Sequence, residues 1–268
     1  MAANRNDIQI IDLTPENIAR YGVCGYKDIH KHRELQRKVD WVKRYYPKGL
    51  RIKALISKSG GYQGMLEYIP GEYAHRPVNA EGYMFIHCLF VGFKKEFKGK
   101  GFASMLLDEC ITDAKKEKMH GAAVITREGS FMAKKDIFIK KGFSLIDTMK
   151  PDFELLVFKF NDKENDPKFV HNPLEKYSNG LTIMRSPQCP YSVKNVEAII
   201  QTANTLELNP ELIEMNDYES AQKSPCAFGT FCIINKGKIV SHHPISNTRF
   251  ENIMKTEKKI NARTNKVN

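Results

Sequence analysis

Apolar positions along the chain switch between two spacings. Stretches such as 51–57 (RIKALIS), 62–69 (YQGMLEYI) and 83–92 (YMFIHCLFVG) are short, rich in aliphatic and aromatic residues, and bounded by Gly, Ser or Pro, which predicts strands. The stretch 31–46 (KHRELQRKVDWVKRYY) repeats its apolar positions at helical spacing until Pro47 and Gly49 end it. A second helix is predicted from Phe102 to about Lys118, where Ala103, Leu106, Leu107, Cys110, Ile111 and Ala114 share a face. "IQIIDL" reads as a first strand, and "TPENI" offers Thr14 as a helix cap with Pro15 at the first helical position. "GAAVIT", a short helix "SFMAKKDIFIKKG", and strands around "FSLIDTM" and "FELLVFKF" carry the pattern to residue 160. Ser59, Gly60 and Gly61 supply a hairpin turn.

After residue 160 the pattern changes. Residues 161–180 are polar, contain two prolines, and read as a linker or a surface-packed connection. From Leu181 the order is strand (LTIMRS), a "PQCPYS" turn, helix (VKNVEAIIQTANTL), strand (PELIEMN), hairpin (GTFCIINKGKIVSHH) and a closing helix. Alternation along "YMFIHCLFV" places Phe85, His87, Leu89 and Val91 on one strand face, with Met84, Ile86, Cys88 and Phe90 on the other. His242 and His243, adjacent at a strand end, are expected at the surface.

Composition narrows the classes. With 268 residues and 41% hydrophobic content, the chain can bury one large core or two modest ones. No run of about 18 apolar residues occurs, and the first residues lack the layout of a secretory leader, so a cytoplasmic protein is expected. Six cysteines without a C-x-x-C pair argue against a zinc ribbon or a secreted disulfide framework. The net charge of +11 is concentrated in residues 1–160, which carry +9 of it. Without aromatic–basic interleaving or a nucleic-acid motif, this balance points to a polyanionic small ligand rather than to specific nucleic-acid binding.

One stretch concentrates that expectation. In "KEFKGKGFASMLLDEC" (95–110), two glycines and three lysines lead directly into a helix whose first N–H groups have no intrahelical partners. Gly99 and Gly101 allow close backbone approach, Lys98 and Lys100 add charge, and the helix dipole favours a phosphate at that spot. The stretch is neither a P-loop nor a dinucleotide fingerprint.

"KGKGFA" after "LFV" resembles the pyrophosphate-binding loop of the GNAT superfamily of N-acetyltransferases, with Lys98 in place of the usual Arg or Gln. "GAAVIT" is similar to the family strand that splays to admit the pantetheine arm, and "IFIKKGF" to its F-Y-x-K-x-G-F turn. The resemblance covers most of residues 1–160. It implies an α/β (α+β) fold with a mixed, mostly antiparallel sheet flanked by helices, and acetyl-CoA as acyl donor. By resemblance, Leu89, Phe90 and Val91 would bond the pantetheine, and Lys98, Gly99, Lys100, Gly101, Phe102, Ala103 and Ser104 the diphosphate. His87 would deprotonate a small-molecule primary amine. Phe138 occupies the usual position of the acidic tyrosine, so either Ser130 or water replaces it, or the thiolate leaves unprotonated, or the domain binds its cofactor without much turnover. The segment 65–85, with Glu67, Tyr68, Glu72, Tyr73, His75, Arg76 and Tyr83, is a candidate acceptor pocket, and Cys24 is expected to be a buried structural cysteine.

Residues 181–268 resemble a smaller thioredoxin-like α/β domain. There "CPYS" is similar to a monothiol glutaredoxin site, and Pro225 stands where that fold has a cis-proline. The tandem order resembles the YoaP-like subgroup of GNAT proteins. Cys189 would then be a thiol with lowered pKa at a helix start, with Cys226 its only partner for a disulfide or metal pair. This leaves a second reading, an acyl-CoA-binding or redox-sensing protein that works through Cys189.

Overall fold

The computed structural model describes residues 7–58, 61–92 and 95–264. In chain order the N-terminal elements are β1 (Ile8–Asp12), α1 (Ile18–Tyr21), α2 (Arg33–Tyr45), β2 (Arg51–Ser57), β3 (Gly61–Pro70), β4 (Val78–Asn79) and β5 (Tyr83–Val91). They continue with α3 (Phe102–Lys116), β6 (Gly121–Thr126), α4 (Lys135–Ile139), β7 (Ser144–Met149) and β8 (Phe153–Lys159). Seven strands form one sheet in the order β1-β2-β3-β5-β6-β8-β7. Every neighbouring pair is antiparallel except β5 and β6, which the crossover helix α3 makes parallel. This is the mixed, mostly antiparallel sheet flanked by helices expected from the sequence. Of the hairpin turn between β2 and β3, Ser59 and Gly60 lie outside the described residues.

Each helix buries the stripe its sequence dictates. On α3, Phe102, Leu106, Leu107, Cys110 and Ala114 pack on Leu66, Met84, Ile86 and Leu156 from one face of the sheet. On α2, Leu35, Val39, Trp41, Val42 and Tyr45 pack on Ile52, Ala54, Met65 and Ile69 from the other. Thr14 Oγ1 accepts the Glu16 N–H at 3.3 Å as a cap would, but over Pro15–Asn17 the chain forms turns and α1 proper starts only at Ile18, with the Thr14 amide donating to Asn17 Oδ1 at 2.8 Å.

The second part comprises β9 (Lys168–Phe169), β10 (Leu181–Arg185), α5 (Pro190–Val193), α6 (Val196–Thr205), β11 (Glu211–Glu214), α7 (Tyr218–Gln222), β12 (Phe231–Asn235), β13 (Lys238–Ser241) and α8 (Asn247–Thr264). Four of these strands make a separate sheet in the order β11-β10-β12-β13, with β10 and β11 parallel and the other pairs antiparallel. The 161–180 segment is tied down: β9 pairs with β4, and Tyr83 donates to the Asn165 carbonyl at 2.8 Å. The peptide before Pro225 is trans, contrary to expectation; the cis X-Pro bond is Lys150–Pro151.

The two parts share one core. Phe85, Ala123, Ile125, Phe153 and Leu155 from the large sheet belong to the same buried cluster as Ile183, Ile199, Phe231 and Phe250. Polar contacts reinforce the seam: Arg37 pairs with Glu214 at 2.6 Å, Tyr191 donates to the Cys24 carbonyl at 2.9 Å, and Gln222 reaches the Ala74 carbonyl at 3.2 Å. The sheet face opposite α3 is thus covered by α2 over its first strands and by the C-terminal part over β5, β6 and β8.

Candidate active site

Strand β5 is continuous, but its alternation is not. Glu67 pairs with Cys88 whereas the next residue, Tyr68, pairs with Ile86, so His87 is an extra residue bulged out of the ladder. The bulge reverses side-chain parity. Met84 and Ile86 before it, and Leu89 and Val91 after it, all face α3, while Cys88 and Phe90 turn to the side of α2. The simple alternation expected from the sequence is overturned here, because one unpaired residue shifts every following side chain to the other face.

The bulge also decides what His87 does. Its side chain is fully buried, ringed by Trp41, His75 and Phe85, and its Nε2 accepts the His75 backbone N–H at 2.9 Å. Nδ1 therefore carries the proton of the neutral ring and sits 3.3 Å from Glu67 Oε1, outside good hydrogen-bond geometry. Burial lowers its pKa to about 4, despite the upward pull of Glu67. A sealed ring with its free lone pair already engaged cannot take a proton from a substrate, so the general-base expectation for His87 is corrected.

His87 belongs to a buried polar network at the seam. Lys38, from α2, donates to Glu67 Oε2 and, at 2.6 Å, to the Gln188 carbonyl; the Gln188 amide donates to Glu67 Oε1 at 2.6 Å. Arg76 donates to the carbonyls of His75 at 2.8 Å and His87 at 3.2 Å, and Trp41 donates to His75 Nε2 at 3.0 Å. Burial pushes the Glu67 carboxyl up, but Lys38 and His87 together outweigh it and hold it at about 2. Most of the side chains expected to line an acceptor pocket at 65–85 are withdrawn: Glu67, His75 and Arg76 point inward, Tyr68 donates to Asp113 at 2.6 Å under α3, and Tyr83 donates to the Asn165 carbonyl, while Glu72, Asn79, Glu81 and Gly82 of the segment line a cavity of about 790 Å³ shared with 164–168.

The open space lies beside this network. Pairing of β5 with β6 stops at Ile86 and Val124, so the two strands part there, while the other edge of β5 still pairs Leu89, Phe90 and Val91 with β3. A pocket of about 250 Å³ opens there. Cys88, Leu89 and Phe90 line it from β5, with Cys24 and Cys189 beside them; Phe131, Met132 and Tyr191 complete the wall. Cys24 is buried as expected, but it faces this cavity. His243, expected at the surface, is partly buried with its ring 5.8 Å from that of Phe131.

The cofactor loop lies on the α3 side. Lys98, Gly99, Lys100 and Gly101 are exposed, and Gly99 and Gly101 have φ of 69° and 80°, values that suit glycine. Gly101 is the N-cap of α3 and no side chain caps the helix, so the amides of Phe102, Ala103 and Ser104 have no intrahelical acceptor. Phe102 itself is a core residue, while Ala103 and Ser104 are half-buried. Lys141, which sequence reasoning missed, donates to Ser104 Oγ at 3.2 Å and pairs with Asp108, adding a cation beside the first turn of α3. Phe138 is wholly buried with its ring 5.5 Å from that of Phe143, and does not line the pocket.

The cysteines differ from expectation. Burial raises the Cys189 thiol pKa more than the Tyr191 and Ser192 N–H groups, Lys38 and Arg76 lower it, so the expected lowering is reversed. Burial likewise pushes Cys88 up to about 12. The depressed thiol is Cys226. Although burial opposes it, contacts from Cys232 and from His242, whose Nδ1 lies 3.1 Å from the sulfur, lower it to about 5. His242 is thus a thiol partner rather than a surface residue. All six cysteines are free. Among the described residues no cluster of three or more His, Cys, Asp or Glu side chains is arranged to hold a metal, and no helix is long and apolar enough to cross a membrane.

A family described as YoaP-like matches residues 211–252. The chain is similar to the uncharacterized N-acetyltransferase YoaP of Bacillus subtilis (strain 168), with 29% identity over 251 residues, covering 92% of this chain and 98% of the relative. Solved structures that match include the PaiA N-acetyltransferase of Thermoplasma acidophilum in complex with coenzyme A, at 17% identity and a TM-score of 0.40, covering 57% of this chain and 99% of that one. The Escherichia coli GNAT family N-acetyltransferase YhbS in complex with CoA matches at 13% identity and a TM-score of 0.36, covering 60% and 88%.

Proposed function

We propose that the chain is an acetyl-CoA-dependent N-acetyltransferase that delivers its acyl group, through the gap between β5 and β6, to a small-molecule primary amine at the thiol-lined pocket. One observation carries this reading: β5 and β6 part after Ile86 and Val124, the far end of β5 and the uncapped start of α3 lie at the two ends of one loop, and the 250 Å³ pocket is lined by Cys88, Leu89 and Phe90 from that end of β5. In this reading the backbone of Leu89, Phe90 and Val91 bonds the amide-containing arm of the cofactor. The amides from Lys98 to Ser104, with Lys98 and Lys100, suit a diphosphate. The near-full-length similarity to a protein named as an N-acetyltransferase supports the same activity.

Residues 1–160 form the transfer unit in this proposal, 161–180 the connection, and 181–268 an accessory thioredoxin-like unit, a reading supported by its strand–helix–strand–helix–hairpin–helix order. The accessory unit acts by supplying one wall of the pocket through Cys189 and Tyr191.

The test is calorimetric titration of coenzyme A into the wild type and Gly101→Val. A β-branched residue forced to φ near 80° costs about 1–2 kcal/mol and sets methyl groups at the phosphate position, so affinity should drop tenfold or more. Unchanged affinity in a folded variant refutes the assignment of the loop, and the absence of CoA-dependent acetylation across a broad amine panel refutes the transferase reading.

A further inference from the structure

The pocket contains an unusual set of protic groups. Its lining carries no carboxylate, imidazole or amine; three thiols from three separate segments, Cys24, Cys88 and Cys189, converge there with the Tyr191 hydroxyl. That hydroxyl is already committed to the Cys24 carbonyl. His87 is sealed behind the wall and Phe138 has no proton to give. Direct attack by an amine would need both a base for the amine and an acid for the departing thiolate, and the walls provide neither.

We propose that Cys189 is a covalent acyl carrier, so that transfer proceeds by double displacement. The proposal rests on the transferase reading and deepens it. In the first half, Cys189 Sγ attacks the thioester carbonyl carbon of acetyl-CoA, the bond from that carbon to the coenzyme A sulfur breaks, and the Cys189 proton passes to the leaving sulfur. One thioester replaces another, and no outside acid or base is consumed. In the second half the acceptor amine attacks the Cys189 thioester, the carbon–sulfur bond breaks, and an amine proton returns to Cys189 as the amide leaves. The thiol thus supplies the proton that Phe138 cannot and later receives the one that His87 cannot.

Cys189 fits the role better than its neighbours. Cys24 is only 7% exposed, and Cys88 is embedded in β5, whereas Cys189 is partly exposed and is the N-cap residue of α5, the Ser192 N–H donating to its carbonyl at 3.0 Å. Beneath it Lys38 and Arg76 oppose the single carboxylate of Glu67, a local excess of positive charge that favours both a transient thiolate and the oxyanion of a tetrahedral intermediate.

The experiment incubates the full chain with acetyl-CoA in the absence of amine, quenches in acid, and reads intact and peptide masses. One acetyl group on the peptide containing Cys189, discharged when a competent amine is added, is the expected result, with initial-rate plots parallel as double displacement requires. Cys189→Ser should lose both the discharge and amine acetylation. Label confined to Cys24 or Cys88, or amide product accumulating with no protein thioester and with intersecting rate plots, overturns the relay while leaving the transferase intact. A chain that binds no coenzyme A in calorimetry defeats both readings together.

Discussion

Replacing Lys38 by methionine removes the cation from a carboxylate that has no route to water. Lys38 and Glu67 are both fully buried, and Lys38 also satisfies the Gln188 carbonyl at 2.6 Å. Removing one partner of a buried pair costs about 3–5 kcal/mol, chiefly because the survivor keeps its desolvation penalty without its counter-charge. Against a total of about 5–15 kcal/mol for a folded domain, this is a large share, and it corresponds to a drop in melting temperature of roughly 6–20 °C. The loss should depend on pH. In the wild type the Glu67 pKa of about 2 lies below its unfolded value near 4.3, so its contribution is complete above about 4.3 and fades as pH falls toward 2. In Lys38→Met the burial effect dominates, the folded pKa rises above the unfolded one, and the native state loses stability as pH rises through it. The gap between the two proteins should therefore widen from about pH 4.3 to 7. Urea melts across that range, with Lys38→Met/Glu67→Leu completing a double-mutant cycle, measure it; the double variant should be less destabilised than the sum of the single changes. A cost below about 1 kcal/mol that is additive and independent of pH would show that the network does not weld the two parts.

Gly229→Ala should destabilise the seam by about 2–4 kcal/mol. At φ 73° an added Cβ meets the Arg76 side chain and the His75 carbonyl oxygen, each at 2.6 Å, whereas Gly180→Ala, at φ 72° with nothing within 4 Å, should cost only about 1 kcal/mol. Equal melting points for the two variants contradict the close approach. Cys226→Ser tests the thiol–imidazole pair. Because the folded Cys226 pKa is depressed to about 5 from an unfolded value near 8.5, its contribution is complete above about 8.5 and is lost as pH falls to 5. The stability advantage of wild type over the serine variant should therefore shrink by up to ~1 kcal/mol per pH unit on acidification; a constant difference in chemical denaturation argues against a depressed Cys226 thiol.

Much of the large sheet was legible in the sequence, because strands and helices with one buried face announce their periods over a few residues. The stripe on α3 and the glycine-rich entry to it are local facts, and the structure places them as read. The reversal of parity at His87 was not legible. Nothing in "YMFIHCLFV" distinguishes a bulged residue from a paired one; the extra residue is defined only against Glu67 and Tyr68 on the neighbouring strand. The rise of the Cys189 pKa was equally hidden, since the expected lowering came from its place beside a helix start, while the burial that wins comes from packing against the rest of the molecule.

The sequence by itself determined the secondary elements, the crossover that makes β5 and β6 parallel, and the loop of amides and lysines at the start of α3, all of which follow from backbone conformation and short-range spacing. Only the tertiary structure decided which polar groups work together. Glu67 meets Lys38 across 29 residues and Gln188 across 121, and the three thiols of the pocket come from segments that share no local pattern. The physical reason is that burial and electrostatic pairing depend on distance through space. That distance is fixed only when the accessory unit closes over the sheet, sealing His87 inside and leaving Cys189 at the opening.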